Sequence, residues 1–215
     1  MIETTVRLDD QPINSAFFGE SRWLTEYITP ENPDVRTLYK KLTAKGNKSL
    51  QDKLEACWGW VASQVEYVPY VKARITVENR TATQDDFWMN PSMTSRILIG
   101  NCVNKSFLLA SLVRNALPPS KAHCVMGNLN QNGRKSGHAW VEVTLDDRDY
   151  ILESTRFDMQ PFVPSRTAEI YEPVLYANDQ EVLAVPGRTG IQPYSAVYVD
   201  WLKEYLDWAY IIGRK

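Results

Sequence analysis

Apolar residues recur at helical spacing twice in the first third of the chain. Val35, Leu38 and Leu42 mark one helix, opened by Pro33 and ending near Lys45-Gly46; proline's fixed φ suits a first helical turn. Ser49 is an N-cap residue type, and Leu50, Leu54, Cys57, Val61 and Val65 form the apolar stripe of a second helix behind it. Tyr67 to Val71, with Pro69 inside, is its exit. Residues 1–31 are turn-rich and predict only a short strand over Thr4–Leu8. Residues 72–100 read as mostly irregular, interrupted by Phe87-Trp88-Met89. Cys102 to about Ala116 is the most apolar helix, carrying Val103, Phe107, Leu108, Leu109, Ala110, Leu112 and Val113. A helix apolar on most sides is buried, and Pro118-Pro119 ends it.

The pattern then switches to period two. Lys121–Met126 predicts a strand, Gly127–Gly137 a polar loop and His138–Leu145 a cleanly alternating strand. Ala139, Val141, Val143 and Leu145 take one face of that strand; His138, Trp140, Glu142 and Thr144 take the other. Asp146–Asp149 is a turn and Tyr150–Glu153 the next strand. Short segments follow around Ile170–Tyr176 and Glu181–Val185, then a loop over Gly187–Gln192. A last amphipathic stretch, Tyr198–Ile212, carries Trp201, Leu202, Leu206, Trp208 and Ala209. With no internal repeat or linker, residues 1–215 read as a single α+β domain.

Composition narrows the function classes. Apolar residues at 44% and charged residues at 23% of 215 are ordinary globular usage, which excludes a disordered tail. No run of 18 apolar residues exists, so no membrane-spanning segment is expected. A net charge of −2 without basic blocks gives no nucleic-acid footprint. Three cysteines and no leader-like opening predict a reducing, cytoplasmic setting without a disulfide framework. His123 and Cys124 are adjacent in a strand-like segment, so they point to opposite faces, and no metal site is expected from so few ligands. No Gly-rich phosphate pattern precedes a helix, and no cofactor is expected. Asp85-Asp86 reads as a solvated loop, Cys57 as core and Trp201 and Trp208 as a packed helix face. Nothing in the sequence sets the oligomeric state.

One constellation carries chemistry. Cys102 follows Gly100-Asn101 and opens the buried helix, with Asn101 as its N-cap. A thiol in the first turn feels the positive helix end and the unsatisfied N–H groups there. Both favour the thiolate, which is the nucleophile, and the same groups can receive an oxyanion. The plain alternative is a small buried hydrophobe. His138 is one of only two histidines and opens a strand; Glu153 lies on the next one. If the intervening turn centres between Leu145 and Asp146, the two face each other directly. A later turn, centred between Asp147 and Arg148, keeps them on one face but offsets them by several residues. Thiolate, imidazole base and an orienting carboxylate make a nucleophilic triad in the general sense.

These strings resemble the transglutaminase-like superfamily. The likeness rests on Ile99-Gly100-Asn101-Cys102, on Leu108-Leu109 and Leu112-Val113-Arg114, on Gly127, and on Gly137-His138-Ala139-Trp140-Val141-Glu142-Val143. It covers residues 85–155, including Asp86-Phe87-Trp88-Met89-Asn90-Pro91; within 1–84, expected to be an N-terminal helical part, Trp58, Trp60-Val61 and Tyr67 look similar more loosely. Residues 156–215 are left as a C-terminal extension. The resemblance implies a papain-like fold, with the cysteine helix packed on an antiparallel sheet. It also implies a cysteine-dependent hydrolase of peptide or isopeptide bonds in a protein or peptide substrate, working through a thioester. Cys102 would be the nucleophile, His138 the acid–base and Glu153 the orienting group, with Trp88 and Asn101 at the oxyanion pocket. Three stretches depart from the family pattern. Asn101 stands for the usual aspartate. Val103 and Asn104 replace the acidic residues of a calcium-dependent protease branch, so no calcium site is expected. Glu153-Ser154-Thr155 stands for Asp-Pro-Thr. Transamidation, or a catalytically silent binding module, are the alternative readings.

Overall fold

The computed structural model describes residues 6–8, 12–17, 20–44, 49–69, 71, 73–77, 80–84, 87–131, 133–155, 160–165 and 170–188. Two N-terminal helices form where the pattern placed them. In α1 (Pro33–Thr43) Pro33 sits in the first turn and the Asn32 side chain caps the Asp34 N–H. In α2 (Leu50–Gln64) Ser49 and Asp52 exchange a reciprocal capping box. Leu54, Cys57 and Val61 are fully buried along α2, so Cys57 is core. The short α3 (Pro91–Ile97) leads into α4 (Cys102–Val113), every residue of which is buried. Pro118 stops α4 at some distance, after a tight 115–117 turn. Arg114 at its end makes a two-point ion pair with Asp179, 2.6 Å and 3.1 Å, tying the helix to the far side of the sheet.

The sheet has seven strands and is antiparallel throughout. In chain order its members are β1 (Val6–Leu8), β8 (Ala122–Gln131), β9 (Arg134–Leu145), β10 (Arg148–Leu152), β11 (Val163–Pro164), β12 (Tyr171–Ala177) and β13 (Val182–Ala184), arranged β1-β13-β12-β8-β9-β10-β11. The remaining strands make separate pairs: β2 (Pro12–Phe17) with β3 (Glu20–Trp23), β4 (Glu66–Tyr67) with β7 (Ile99–Gly100), and β5 (Ala73–Val77) with β6 (Arg80–Gln84). Alternation along β8 and β9 sends Cys124, Met126, Ala139, Val141 and Val143 to the main core beneath the helices. Val125, Leu129 and Trp140 go to a second core on the opposite face, with Ile151, Tyr171 and Tyr176.

Four expectations are corrected. Gly127–Gly137 is not a loop: β8 and β9 pair continuously out to Gln131 and Arg134. Gly133, just before β9, is at φ +73°, which glycine adopts without cost. The polar residues around it decorate a hairpin end rather than mark irregular chain. The 72–100 region contains the β5–β6 hairpin, α3 and β7. The 1–84 part is not purely helical: the strand expected within Thr4–Leu8 is found as β1, beside β13, and the β2–β3 and β5–β6 pairs add to it. The β9–β10 register is neither of the two considered: Leu145 pairs with Arg148 around a two-residue turn. Asp146 and Asp147 occupy it at φ 47° and 58°, the left-handed pair of a tight hairpin turn. The Tyr198–Ile212 stretch with Trp201 and Trp208 lies outside the described residues, as do Asp85 and Asp86.

Candidate active site

Helix α4 begins with the sequence-predicted cap in place. The Asn101 side chain accepts the Asn104 N–H at 3.0 Å, and the Asn101 carbonyl accepts the Lys105 N–H. The N–H groups of Cys102 and Val103 have no carbonyl one turn back within the helix. Gly100 is needed for the entry, since a Cβ there would lie 2.9 Å from the Asn104 Cβ. Asn104 in turn clamps the Trp88 segment. Its Oδ1 accepts the Met89 N–H at 2.7 Å and its amide donates to the Phe87 carbonyl at 3.2 Å. The Trp88 ring packs edge-on against Tyr27 and Phe107 and is part of the main core's rim.

His138, Cys102 and Glu153 come together. Glu153 sits just beyond the last β10 pair, Leu152–Val141, so it faces Trp140 and lies diagonally across from His138. A diagonal neighbour is reachable by a long side chain, and glutamate's extra methylene closes the gap. His138 Nε2 and Glu153 Oε2 are 2.7 Å apart, and the Cys102 thiol is close enough to interact with the same imidazole. The carboxylate occupies Nε2, so Nδ1 is the ring nitrogen not taken by Glu153. Cys102 is 1% exposed, His138 7% and Glu153 0%.

Several partners of this group had no sequence signal strong enough to single them out. Glu153 Oε2 also accepts the Tyr171 hydroxyl at 3.0 Å; Oε1 accepts both the Thr155 N–H and its hydroxyl at 2.7 Å. From α2, the Trp58 indole donates to the Glu153 backbone carbonyl at 2.6 Å. Trp140 lies nearly parallel to the imidazole, ring centres 6.1 Å apart, and Tyr171 packs edge-on against Trp140 at 5.0 Å. The Trp140 N–H is held by Glu142 Oε1 at 2.9 Å; burial pushes that carboxyl up to about 7. Tyr171 is contributed by a strand 18 residues further along the chain, which no local spacing could pair with Glu153.

Burial works against both charges of the His138–Glu153 pair and is overcome by their interaction. The Glu153 charge and the bonds from Glu153 and Cys102 raise the imidazole from 6.5 to about 10. The imidazolium and the Thr155 donors hold the carboxyl at about 2, down from 4.5. The histidine's contribution to stability is therefore full below pH 6.5 and lost as pH rises through 10. The glutamate's is full above pH 4.5 and lost as pH falls through 2. The difference in melting temperature between the wild type and a His138→Gln/Glu153→Gln double variant is expected to be largest from pH 4.5 to 6.5 and to shrink on both sides. A difference that is flat from pH 3 to 10 would show that the pair carries no such charge.

His123 and Cys124 do point to opposite faces. Cys124 is buried in the main core, its thiol pushed up by burial, and His123 lies 3.8 Å from Glu181. Among the described residues no cluster of three or more His, Cys, Asp or Glu side chains has the geometry to hold a metal ion. No described helix is long and apolar enough to cross a membrane.

A helix-start cysteine against a strand histidine, on an antiparallel sheet backed by helices, defines an α+β protein of papain-like, transglutaminase-like architecture. The chain belongs to the transglutaminase-like superfamily, whose family model matches residues 36–152. That span contains Cys102 and His138 and stops one residue short of Glu153, so the acid is located by geometry. LapG of Legionella pneumophila is similar in structure. For the EGTA-treated form the TM-score is 0.52 at 16% identity, covering 74% of this chain and 80% of LapG. A second LapG structure gives 0.52 at 16%, covering 70% and 77%. No curated protein sequence matches the chain.

Proposed function

We propose that the protein is a cysteine-dependent hydrolase of amide bonds in peptides or isopeptides. One observation supports this reading: a buried imidazole, with the helix-start Cys102 as its neighbour, bonded to a carboxylate that four donors hold as an anion. In the proposed reaction the Cys102 sulfur attacks the carbonyl carbon, and its proton is held by His138. The tetrahedral oxyanion is met by the Cys102 backbone N–H and by the Trp88 indole N–H, with Asn101 holding the helix start in place. Collapse breaks the C–N bond, His138 gives its proton to the leaving amine, and a thioester remains on Cys102. Water, deprotonated by His138, attacks the thioester and releases the acid and the thiol. Glu153 keeps Nε2 protonated throughout, which is the tautomer that leaves Nδ1 to exchange protons with sulfur and substrate.

The test is trapping of the acyl-enzyme. The protein is incubated with a pool of reporter peptides, quenched in acid and digested, and Cys102 is examined by mass spectrometry, with and without a primary amine. An acyl adduct on Cys102 that decays to free acid is the expected result. If the added amine is incorporated into product instead, the protein is a transamidase. If no adduct forms in any pool, and none forms with an activated acyl ester, the catalytic reading fails and a binding module remains.

A further inference from the structure

Lysine is almost never fully buried unless paired, yet Lys105, in the middle of α4, is 0% exposed. Its ammonium donates to the Val65 carbonyl at 2.6 Å and the Ala62 carbonyl at 3.4 Å, at the C-terminal end of α2. That end of a helix carries partial negative charge. One turn earlier on α2, Trp58 holds the Glu153 carbonyl, so the lysine head and the acid are anchored on the same helix. Lys105 and Cys102 are three residues apart on α4 and so share a helix face.

We propose that Lys105 is the fourth charged member of the site: a positioning residue whose ammonium offsets the Glu153 carboxylate, so that Cys102 and His138 can form a thiolate–imidazolium pair with no net buried charge. This rests on the hydrolase reading above. With Lys105 and His138 protonated and Glu153 ionised, the buried group carries one positive charge while Cys102 is a thiol, and forming the thiolate brings it to neutral. Without the lysine, the thiolate and the carboxylate share one imidazolium, and buried charge without a partner is costly. Among the described residues, the titratable groups that bear on this set are Glu153 beyond β10, His138 on β9 and Tyr171 on β12, with Cys124 on β8 beside Cys102. Burial brings the Lys105 ammonium down to about 8, opposed by Glu153, so the cation persists at neutral pH.

The experiment is iodoacetamide alkylation of the full-length protein from about pH 5 to pH 9, read at Cys102 by peptide mass spectrometry, in wild type, Lys105→Met, Lys105→Gln and Lys105→Arg. Loss of one nearby cation is expected to move the Cys102 profile up by about one pH unit, so both neutral variants label about tenfold more slowly near pH 6.5. Lys105→Arg is expected to stay with the wild type. Glutamine keeps a donor toward Val65, so it gives the answer if the methionine variant does not fold. A folded neutral variant with the wild-type profile overturns the proposal. So does an arginine variant displaced as far as the neutral ones, which would mark a packing effect. Failure of the hydrolase reading looks different: wild-type Cys102 would label no faster than Cys57 and Cys124, and that result overturns this proposal with it.

Discussion

His138→Ala is expected to lower amide hydrolysis by about 10³-fold or more while the protein stays folded. The imidazole is bonded to the Glu153 carboxylate at 2.7 Å and interacts with the Cys102 thiol, so its loss removes proton transfer in both halves of the proposed reaction. A positioned acid–base contributes about 10² to 10⁴ on its own. Here its removal also takes away the cation paired with the nucleophile. Glu153 would be left buried with three donors, two from Thr155 and one from Tyr171, which keeps the carboxylate solvated by protein and the fold intact. Steady-state hydrolysis of the trapped reporter peptide, alongside far-UV circular dichroism, checks this. A folded His138→Ala protein within threefold of wild-type turnover would remove His138 from the chemistry.

Gly127→Ala is the substitution with the largest expected cost in stability. Gly127 pairs with His138 on β9 and with Pro173 on β12. A Cβ there would lie 2.1 Å from the Glu172 carbonyl oxygen, 2.9 Å from the Pro173 Cα and 2.9 Å from the Trp140 ring. Two of these are backbone atoms of a neighbouring strand, which cannot rotate away as a flexible side chain would. β12 is already irregular there, its register shifting between Pro173 and Leu175; a proline, lacking an N–H, is tolerated in a sheet at such a place. The strand must move outward, opening the second core and drawing Tyr171 off Glu153. A loss of about 3 kcal/mol or more is expected, at the top of the usual overpacking range. Urea unfolding measures it; a loss under about 0.5 kcal/mol would show that the two strands separate freely.

The legible parts of this protein were those whose physics is local. Proline at a first turn, the Ser49 cap, the Asn101 cap and the two-residue alternation of His138–Leu145 each depend on a few neighbouring residues, and each is found in place. The Cys102–His138–Glu153 juxtaposition was readable because a helix start, a strand start and a shared strand face limit where three side chains can go. Register was not readable, because four consecutive residues Asp146–Asp149 permit several turns and only the φ values at Asp146 and Asp147 choose among them. The Asn132-Gly133 string was a missed signal in the sequence: Asn-Gly between alternating segments marks a hairpin, and polar flanks disguised it as a loop. Tyr171, Trp58 and Lys105 reach the site from a distant strand, from another helix, and from an apolar run that hides a charge. Their partners are set by tertiary packing.

The most direct measurement of the central claim is the alkylation of Cys102 as a function of pH, by peptide mass spectrometry, in wild type and His138→Ala. Cys57 and Cys124, both buried and neither in a disulfide, are internal controls. A Cys–His pair requires Cys102 to label much faster than either control at mildly acidic pH, and to lose that advantage when His138 is removed. Labelling of Cys102 that is slow, ordinary in its pH dependence and indifferent to His138 would contradict a catalytic cysteine and leave a transglutaminase-like fold used for binding.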